Sequence, residues 1–274
     1  MPELPEVETL RRDLERSVRG AAIVNTTLGR LRSVRRYDDP QGFVRETEGA
    51  RFVAFGRLGK YLYAHLSTGR TLVVHLRMSG QMRLAESSDE RLAPHTHVRF
   101  GLEDGRELRF IDPRTFGEMW VTTDDVPELA HLGPDALVAL LDGPGFRASL
   151  RGRRTAVKGA LLDQTTLAGV GSIYADEACF VAGVRPTKRA MALTRPAVER
   201  LRVALLQVLE EGIEARGSTL GDGQYVDLWG QPGIYGGAHR VHARAGHGCP
   251  RCGALLRRVI VAGRSAVFCP KCQR

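Results

Sequence analysis

The sequence predicts an α+β protein in which an N-terminal helix and an antiparallel β-sandwich precede a helical half and a small β-hairpin module. Three observations lead to this prediction. The spacing of apolar residues changes near the middle of the chain, glycine-containing turns separate short alternating runs in the first half, and two Cys-x-x-Cys pairs flank a hairpin pattern near the C-terminus. The length of 274 residues suits one large domain or two smaller ones.

The first predicted element is a helix. Between Pro5 and Val18 the apolar residues recur at spacings of three and four, and Glu3 and Glu6 lie at the end where negative charge is favourable. From about residue 22 to residue 121, short alternating runs predict the strands of an antiparallel sandwich. These runs are 51–55, 61–66, 71–76, 97–102, 107–111 and 118–121.

The second half of the chain has a helical period. Gly133-Pro134 and Gly143-Pro144-Gly145 predict a hinge before it. Helices are predicted over 156–163, 172–182 and 195–216. Residues 217–237 are rich in glycine and lack an apolar period, which predicts a mobile loop.

The charge is strongly positive, with a net charge of +9 and a pI near 9.7. From Arg240 to the C-terminus there are eight basic residues and no acidic one, and a second acid-free basic run extends from Arg147 to Lys158. Such runs are usually solvated faces, but two in one chain favour a polyanionic partner such as nucleic acid. No apolar stretch is long enough for a membrane helix, and the N-terminus lacks a secretory signal, which predicts a cytosolic protein.

The cysteine pattern predicts a metal site. Cys249, Cys252, Cys269 and Cys272 form two Cys-x-x-Cys pairs at a spacing typical of a structural four-cysteine zinc site. Disulfides or redox dithiols are the alternative, which a cytosolic chain makes less favourable. The residues between the pairs predict a β-hairpin with Arg264 near its tip, where an arginine favours phosphate or DNA. Cys179, at helical spacing, is predicted to be a core residue.

A Gly-x-Gly turn separates two predicted helices at Gly169–Gly171, with Ser172 as the expected N-cap of the second. Backbone N–H groups at such a turn can bind a phosphate, and Arg153 and Lys158 lie just upstream. The alternative is a tight connection between packed helices.

The start of the chain places proline after the initiator methionine. Removal of Met1 leaves the secondary amine of Pro2 at the terminus. An α-amine has a pKa of about 7.7 to 8, so a fraction of it is neutral at pH 7 and can form a Schiff base without burial. If Met1 remains, the Pro2 nitrogen is an amide and cannot be a nucleophile. Spacing alone favours a proline that merely begins a helix.

Several motifs together resemble the bacterial formamidopyrimidine-DNA glycosylase family, also called Fpg/Nei, over nearly the whole chain. They are Pro2 to Glu8, Lys60-Tyr61-Leu62, His75 to Gly80, Asp112 to Gly117, the Gly169 turn and the four-cysteine finger that ends in Cys-Gln-Arg. The resemblance implies a β-sandwich joined by a hinge to a helix-two-turn-helix domain with a zinc finger. The boundaries expected on this basis are 1–134 for the catalytic sandwich, 135–148 for the hinge, 149–237 for the helical domain with a lesion-capping loop, and 238–274 for the finger.

The resemblance also implies a bifunctional enzyme that excises oxidised purines, such as 8-oxoguanine and formamidopyrimidines, from double-stranded DNA and then nicks the strand. Pro2 would attack C1′ of the flipped nucleotide, and Glu3 would move protons as acid or base. Lys60 matches a lysine that assists β-elimination, and Arg264 matches the finger arginine tied to δ-elimination. No protein partner is required, and a monomer is expected.

The DNA contacts implied by the resemblance fall into two groups. Met78, Arg114 and Phe116 would fill the space left by the extruded nucleotide, although without the resemblance the residue types of Met78 and Phe116 favour an ordinary core. The residues expected to hold phosphates or backbone are His75, His95, Arg153, Lys158, Gly171 and Ser172. His95 and His97 alternate on a strand, so only one of the two can share that role.

The sequence departs from the family pattern at two places. Ser172 stands where the family usually has asparagine, and the loop 217–237 contains Asp222-Gly223-Gln224 and Asp227-Leu228-Trp229 where other residues are expected. The lesion preference therefore stays open. Two alternatives remain, a Nei-like glycosylase for oxidised pyrimidines and a zinc-dependent DNA-binding protein that has lost catalysis.

Overall fold

The computed structural model describes residues 1–221 and 223–274, which divide into two compact units. The first contains residues 1–130 and 215–234, and the second contains residues 131–214 and 235–274. Among the described residues, no helix combines the length and the apolar character needed to cross a membrane.

The described residues of the first unit form two α-helices and eight strands, besides short 3-10 turns. They are α1 (Leu4–Ser17), β1 (Ile23–Leu28), α2 (Pro40–Thr47), β2 (Phe52–Leu58), β3 (Tyr61–Leu66), β4 (Thr71–His75), β5 (Gln81–Ala85), β6 (Thr96–Leu102), β7 (Glu107–Ile111) and β8 (Glu118–Thr122).

The strands form two four-stranded antiparallel sheets, ordered β1-β6-β7-β5 and β2-β3-β4-β8. Apolar residues of both sheets and of α1 share one buried cluster, in which Phe52 of one sheet meets Phe100 of the other at 6.5 Å between ring centroids. The apolar face of α1 contributes Val7, Leu10 and Leu14, which are fully buried. The predicted helix and sandwich are confirmed.

Three elements of this unit, β1, β5 and α2, were not among the predicted ones. Strand β1 buries only two of its six residues, so it has no alternating pattern. Strand β5 follows Gly80 closely and buries only Met82, Leu84 and Ala85, so its alternation is short. Helix α2 lies within a region that predicts strands. It begins at Pro40 because Asp39 accepts a hydrogen bond from the N–H of Gln41, and it buries Phe43.

The second unit contains five helices and one hairpin. They are α3 (Ala136–Ala139), α4 (Gly143–Leu150), α5 (Val157–Leu162), α6 (Ser172–Val181), α7 (Arg195–Glu214), β9 (Arg257–Val261) and β10 (Arg264–Phe268). The long helix α7 packs on α6, which is buried along almost its whole length. Cys179 lies in this core and is fully buried, as predicted. The predicted fold class is therefore confirmed.

A buried polar network crosses the core of the second unit. The ammonium group of Lys158 lies 2.7 Å from Asp176 Oδ1, and both side chains are fully buried. The same ammonium donates to Ser172 Oγ and to the carbonyl oxygen of Ser265 on β10. The other Asp176 oxygen lies 2.9 Å from His242 Nδ1, so one carboxylate joins α5, α6 and the segment that follows residue 235.

Two predicted segments differ in the structure. Residues 143–145, expected to be part of a hinge, begin α4, because Asp142 accepts from the N–H of Gly145 and proline is tolerated in a first helical turn. Residues 215–234, expected to belong to the helical domain, form part of the first unit. Arg216 pairs with Asp13 and Asp227, while Tyr225 and Leu228 enter the sandwich core. Asp222 lies outside the described residues.

The Lys158–Asp176 pair predicts a large stability effect. Asp176→Ala leaves a buried ammonium without its counter-charge, which costs about 3–5 kcal/mol and lowers the melting temperature of the second unit by about 10 °C. Glu199→Ala is the matched control, because it removes a carboxylate from an ion pair with Arg202 in which Glu199 is mostly exposed. Differential scanning calorimetry measures both variants. Similar decreases in melting temperature for Asp176→Ala and Glu199→Ala would contradict the large stabilising effect assigned to the buried pair.

Candidate functional site

The first three residues are held by the start of α1. Pro2 and Glu3 are buried, whereas Met1 is exposed. Glu3 is the N-cap of α1 and forms a capping box with Glu6, whose Oε2 accepts the Glu3 N–H at 2.7 Å. The other Glu6 oxygen accepts the N–H of Ser218 at 2.8 Å. The backbone that carries Pro2 and Glu3 is therefore fixed by α1 and by the segment 215–234.

Lys60 lies in the two-residue turn between β2 and β3, and its side chain is almost buried. Gly59 supplies the left-handed conformation that the turn requires, with φ of +58°. Arg57 donates to the carbonyl of Gly59 at 2.9 Å and pairs with Glu8 of α1 at 3.1 Å. This arginine thus ties the lysine turn to the N-terminal helix.

The charge of Glu8 is well stabilised. Burial opposes its ionisation, but hydrogen bonds from Arg11 and Arg12 and the charge of Arg57 outweigh burial and lower the pKa of Glu8 to about 2. The Arg57–Glu8 connection is therefore ionic at neutral pH. The sequence analysis named Glu8 only as the end of a motif and assigned no role to Glu8 or Arg57, because their contact depends on how β2 packs against α1.

One buried carboxylate holds both loops that carry the expected insertion residues. Asp112 accepts from Ser79 Oγ at 2.5 Å and from the N–H of Gly117 at 2.6 Å, and the N–H of Arg114 lies 3.2 Å from it. Asp112 is fully buried. The loop after β4 and the loop after β7 are thereby joined at their bases.

The side chains at the tips of these loops point to solvent. Met78 is 38% exposed and Phe116 is 39% exposed, so neither belongs to the core. The guanidinium carbon of Arg114 lies 5.0 Å from the centre of the Phe116 ring. Arg35 supports the second loop from below, with hydrogen bonds to the carbonyls of Phe116 and Gly117. Two exposed apolar side chains on anchored loops are typical of a binding surface.

The histidines differ in exposure. His75, at the end of β4, is buried against Tyr61 at 4.2 Å between ring centroids, and its Nδ1 accepts the N–H of Arg77. Burial, and then the charge of Arg77, lower the pKa of His75 to about 3, so the ring is neutral at pH 7. His95 is exposed with φ of +66°, while His97 is buried. Only His95 of this pair is available to a ligand.

The glycine turn of the second unit is held by one glutamine. Gln164 accepts the N–H of Gly169 and donates to the carbonyls of Leu162 and Val170. Gly169 has φ of +108°, which only glycine adopts readily. The turn leads directly into α6, so backbone N–H groups at a helix start are present as predicted.

Two side chains near this turn differ from expectation. Lys158 was expected to contact phosphate, but it is fully buried and its ammonium is used by Asp176, Ser172 and Ser265. Ser172 was expected to be the N-cap, but Gly171 occupies that position and Ser172 Oγ is held by Lys158 at 2.8 Å. Arg153 is half-buried and pairs with Asp163 at 3.1 Å.

The four cysteines of the C-terminal module lie together. Their sulfur atoms are all within 4.8 Å of one another, with Cys252 and Cys269 at 3.5 Å and Cys249 and Cys272 at 3.9 Å. A tetrahedral metal with metal–sulfur bonds of about 2.3 Å requires sulfur separations of about 3.8 Å. None of the cysteines forms a disulfide. The donor set and its spacing fit a closed, structural metal site.

Arg264 is the first residue of β10 and is exposed. The preceding turn, Ala262-Gly263, has φ of +48° and +72°, as in a tight hairpin. Ser265, the next residue, is held through its carbonyl by Lys158. The arginine therefore stands near the tip of the hairpin, next to a residue whose backbone is held by Lys158.

Comparison with protein families assigns most of the chain. The formamidopyrimidine-DNA glycosylase N-terminal domain matches residues 1–119, the formamidopyrimidine-DNA glycosylase H2TH domain matches residues 132–223, and the zinc finger found in FPG and IleRS matches residues 246–274. The chain belongs to the formamidopyrimidine-DNA glycosylase family. It is therefore a DNA glycosylase, an enzyme of base excision repair.

Individual glycosylases of this family are similar over the full length. The formamidopyrimidine-DNA glycosylase of Gloeobacter violaceus is 44% identical, covering 100% of this chain and 98% of the relative. The structure is similar to the MutM (Fpg) protein of Thermus thermophilus, with a TM-score of 0.87, 40% identity and coverage of 99% and 98%. It is also similar to Lactococcus lactis Fpg in complex with DNA containing an abasic site, with a TM-score of 0.90, 32% identity and coverage of 99% of each chain.

The lowered pKa of His75 predicts a pH dependence of stability. An unfolded histidine takes up a proton near pH 6.5, whereas the buried ring of this glycosylase does so only near pH 3. Between these values the unfolded state binds more protons, so the free energy of unfolding falls as the pH falls, by up to about 1.4 kcal/mol per pH unit. His75→Gln removes this contribution and keeps an acceptor for Arg77.

Urea unfolding followed by tryptophan fluorescence at several pH values measures the effect in the first unit, which holds Trp120 and Trp229. His95→Asn is the control, since His95 is exposed and asparagine tolerates its left-handed backbone. An unchanged pH slope in His75→Gln would show that the ring is already protonated in the folded protein.

Proposed function

We propose that this glycosylase excises oxidised purines, such as 8-oxoguanine and formamidopyrimidines, from double-stranded DNA and then cleaves the strand at the resulting abasic site. The observation that carries the proposal is the start of the chain. Met1 is exposed, and Pro2 and Glu3 are buried at the capped start of α1, which fixes the backbone beside the Pro2 nitrogen. A small second residue such as proline normally permits removal of the initiator methionine. A similar solved structure holds Lactococcus lactis Fpg with DNA that contains Fapy-dG.

The first chemical step uses the Pro2 amine. With Met1 removed, the lone pair of the Pro2 nitrogen attacks C1′ of the flipped nucleotide, the bond from C1′ to the base breaks, and the base leaves with a proton. Glu3 is next in the chain and serves as the acid or base that moves protons between the sugar and the leaving groups. The sugar opens, and an iminium forms between Pro2 and C1′.

Strand cleavage follows from the iminium. Loss of a proton from C2′ expels the 3′ phosphate, and a second elimination expels the 5′ phosphate. Lys60, held by the Arg57–Gly59 hydrogen bond, assists the first elimination. Arg264, exposed on its hairpin, grips phosphate and assists the second.

The extruded nucleotide leaves a gap in the stack, which the anchored loops fill. Met78 and Phe116 replace lost stacking, and Arg114 donates hydrogen bonds to the orphaned base. Because Asp112 fixes both loop bases, the three side chains enter as one unit with little loss of conformational freedom. The phosphate backbone of the DNA near the lesion is contacted by His75, His95, Arg153 and the N–H groups at Gly171 and Ser172.

The C-terminal metal is proposed to be one zinc ion, bound by Cys249, Cys252, Cys269 and Cys272. Four thiolates leave no open coordination position, so zinc contributes folding energy to the finger and takes no part in the reaction. Its loss removes the support of the hairpin that carries Arg264. The enzyme acts as a monomer in the cytoplasm and requires no protein partner.

Borohydride trapping tests the nucleophile. Reduction of the iminium with duplex DNA containing 8-oxoguanine gives a covalent adduct, which mass spectrometry of the digested complex places on Pro2. Pro2→Gly retains DNA affinity but loses most of the adduct, because the reactive secondary amine is gone. Pro5→Ala is the control for a change at the start of α1, and this variant still forms the covalent adduct. A wild-type protein that binds lesion DNA without ever trapping would be a binding module, and an adduct preferring oxidised pyrimidines would indicate the Nei-like alternative.

Removal of one metal ligand tests the finger. Cys252→Ser loses zinc and DNA binding together, because the hairpin is ordered by the metal. Elemental analysis of the purified variant and a DNA-binding titration measure the two losses. Cys179→Ser, in the core of the same unit, is the control and keeps the metal. Normal DNA affinity in a metal-free Cys252→Ser protein contradicts the role given to the finger.

A further inference from the structure

A cleft in the second unit shares no residue with the glycine turn or with the four-cysteine cluster. Its volume is about 450 Å³, and residues of α4, of the short helical turn 190–192 and of the start of α7 line it. Three of the lining residues are arginines, Arg147, Arg151 and Arg195. Arg147 and Arg151 belong to the basic run at 147–158, and the proposed glycosylase chemistry assigns a role to neither of them.

The basic run is divided by the fold. Lys158 is buried in an ion pair with Asp176, and Arg153 pairs with Asp163. In contrast, Arg147, Arg151 and Arg195 are exposed and form no ion pair or hydrogen bond with any side chain in the described parts of the chain. The nearest acidic side chain of α7, Glu199, is already paired with Arg202. The cleft therefore has three uncompensated positive charges at its rim.

The walls of the same cleft are apolar. Leu150, Met191 and Val198 line it, and Met191 is 52% exposed. An exposed methionine is a flexible apolar contact that adapts to different side chains. A concave site with an apolar wall and a few charged groups at its edge is typical of a site for a small ligand or a peptide side chain.

We propose that this cleft binds an acidic segment of a partner protein, in which one large apolar side chain packs on Met191 and neighbouring carboxylates pair with the three arginines. DNA fits the site poorly. Its phosphates supply no apolar group for the wall formed by Leu150, Met191 and Val198, and a duplex is too broad to enter a cleft of about 450 Å³. Carboxylates and phosphates both pair with guanidinium groups in bidentate geometry, so the apolar wall and the size of the cleft, and not the arginines, favour a peptide over DNA.

The test uses the full-length, metal-loaded protein and a short fluorescent peptide that alternates aspartate and phenylalanine. Fluorescence anisotropy at about 0.15 M salt measures its Kd. Arg151→Glu and Arg195→Glu each weaken binding about tenfold, because an attractive pair becomes a repulsive one. Met191→Ser weakens binding about threefold through the lost apolar contact. Arg154→Glu makes the same charge change at an exposed arginine of the same run outside the cleft and leaves the Kd unchanged.

Two further measurements distinguish binding of an acidic partner segment from binding of DNA and from attraction by charge alone. A peptide of aspartate without phenylalanine binds at least about tenfold more weakly than the alternating one. Affinity for lesion-containing duplex, and its excision rate, change less than about twofold in Arg151→Glu and Arg195→Glu. The proposal is overturned if the wild-type protein does not bind the alternating peptide, if Arg154→Glu weakens binding as much as the cleft variants, or if the cleft variants lose duplex affinity in parallel with peptide affinity.

Discussion

A fully buried carboxylate, that of Asp112, provides the interaction on which the two loops with exposed side chains in the first unit depend. A charge in this position is tolerated only because a hydroxyl and backbone N–H groups surround it. Those donors come from two loops that are distant in sequence. The hydrogen bonds that satisfy the carboxylate therefore also align the two loops. The positions of the exposed side chains at 78, 114 and 116 depend on these hydrogen bonds to Asp112.

The second unit also contains buried carboxylates that join separate segments, but here one of them is paired with basic side chains. Asp176 is satisfied by a lysine and a histidine, and the adjacent Glu177 accepts the N–H groups of Arg240, Val241 and His242. Two neighbouring acids on α6 therefore hold the chain segment that leads into the metal module. Local geometry in both units is fixed by buried acids that collect donors from separate segments.

The sequence predicted much of the fold because its dominant signals are periodic. The helix α1 and most strands follow directly from the spacing of apolar residues, and the metal cluster follows from cysteine spacing. Burial of charge was not predictable in this way. Lys158 was predicted to lie on a basic surface, because the residues around it in the sequence do not show that Asp176 lies beside it in the fold. Conversely, the residue types of Met78 and Phe116 fit a core, and only the conformation of their loops places them in solvent.

The glycine-rich segment after α7 shows a similar limit. Its composition predicted mobility, yet Tyr225 and Leu228 are buried in the sandwich core and Arg216 bridges two aspartates. The contacts with α1, such as the Arg216–Asp13 ion pair and the hydrogen bond between Ser218 and Glu6, join residues about two hundred positions apart. Pairings of such long range leave no periodic trace in the sequence.

The distribution of sulfur has a practical consequence. Four of the five cysteines belong to the metal cluster, and the fifth, Cys179, is fully buried with its thiol pKa raised by burial. A maleimide or other alkylating reagent added to the folded protein therefore meets only metal ligands. Because each finger contains four cysteines, up to four labelled thiols correspond to one molecule whose finger is empty.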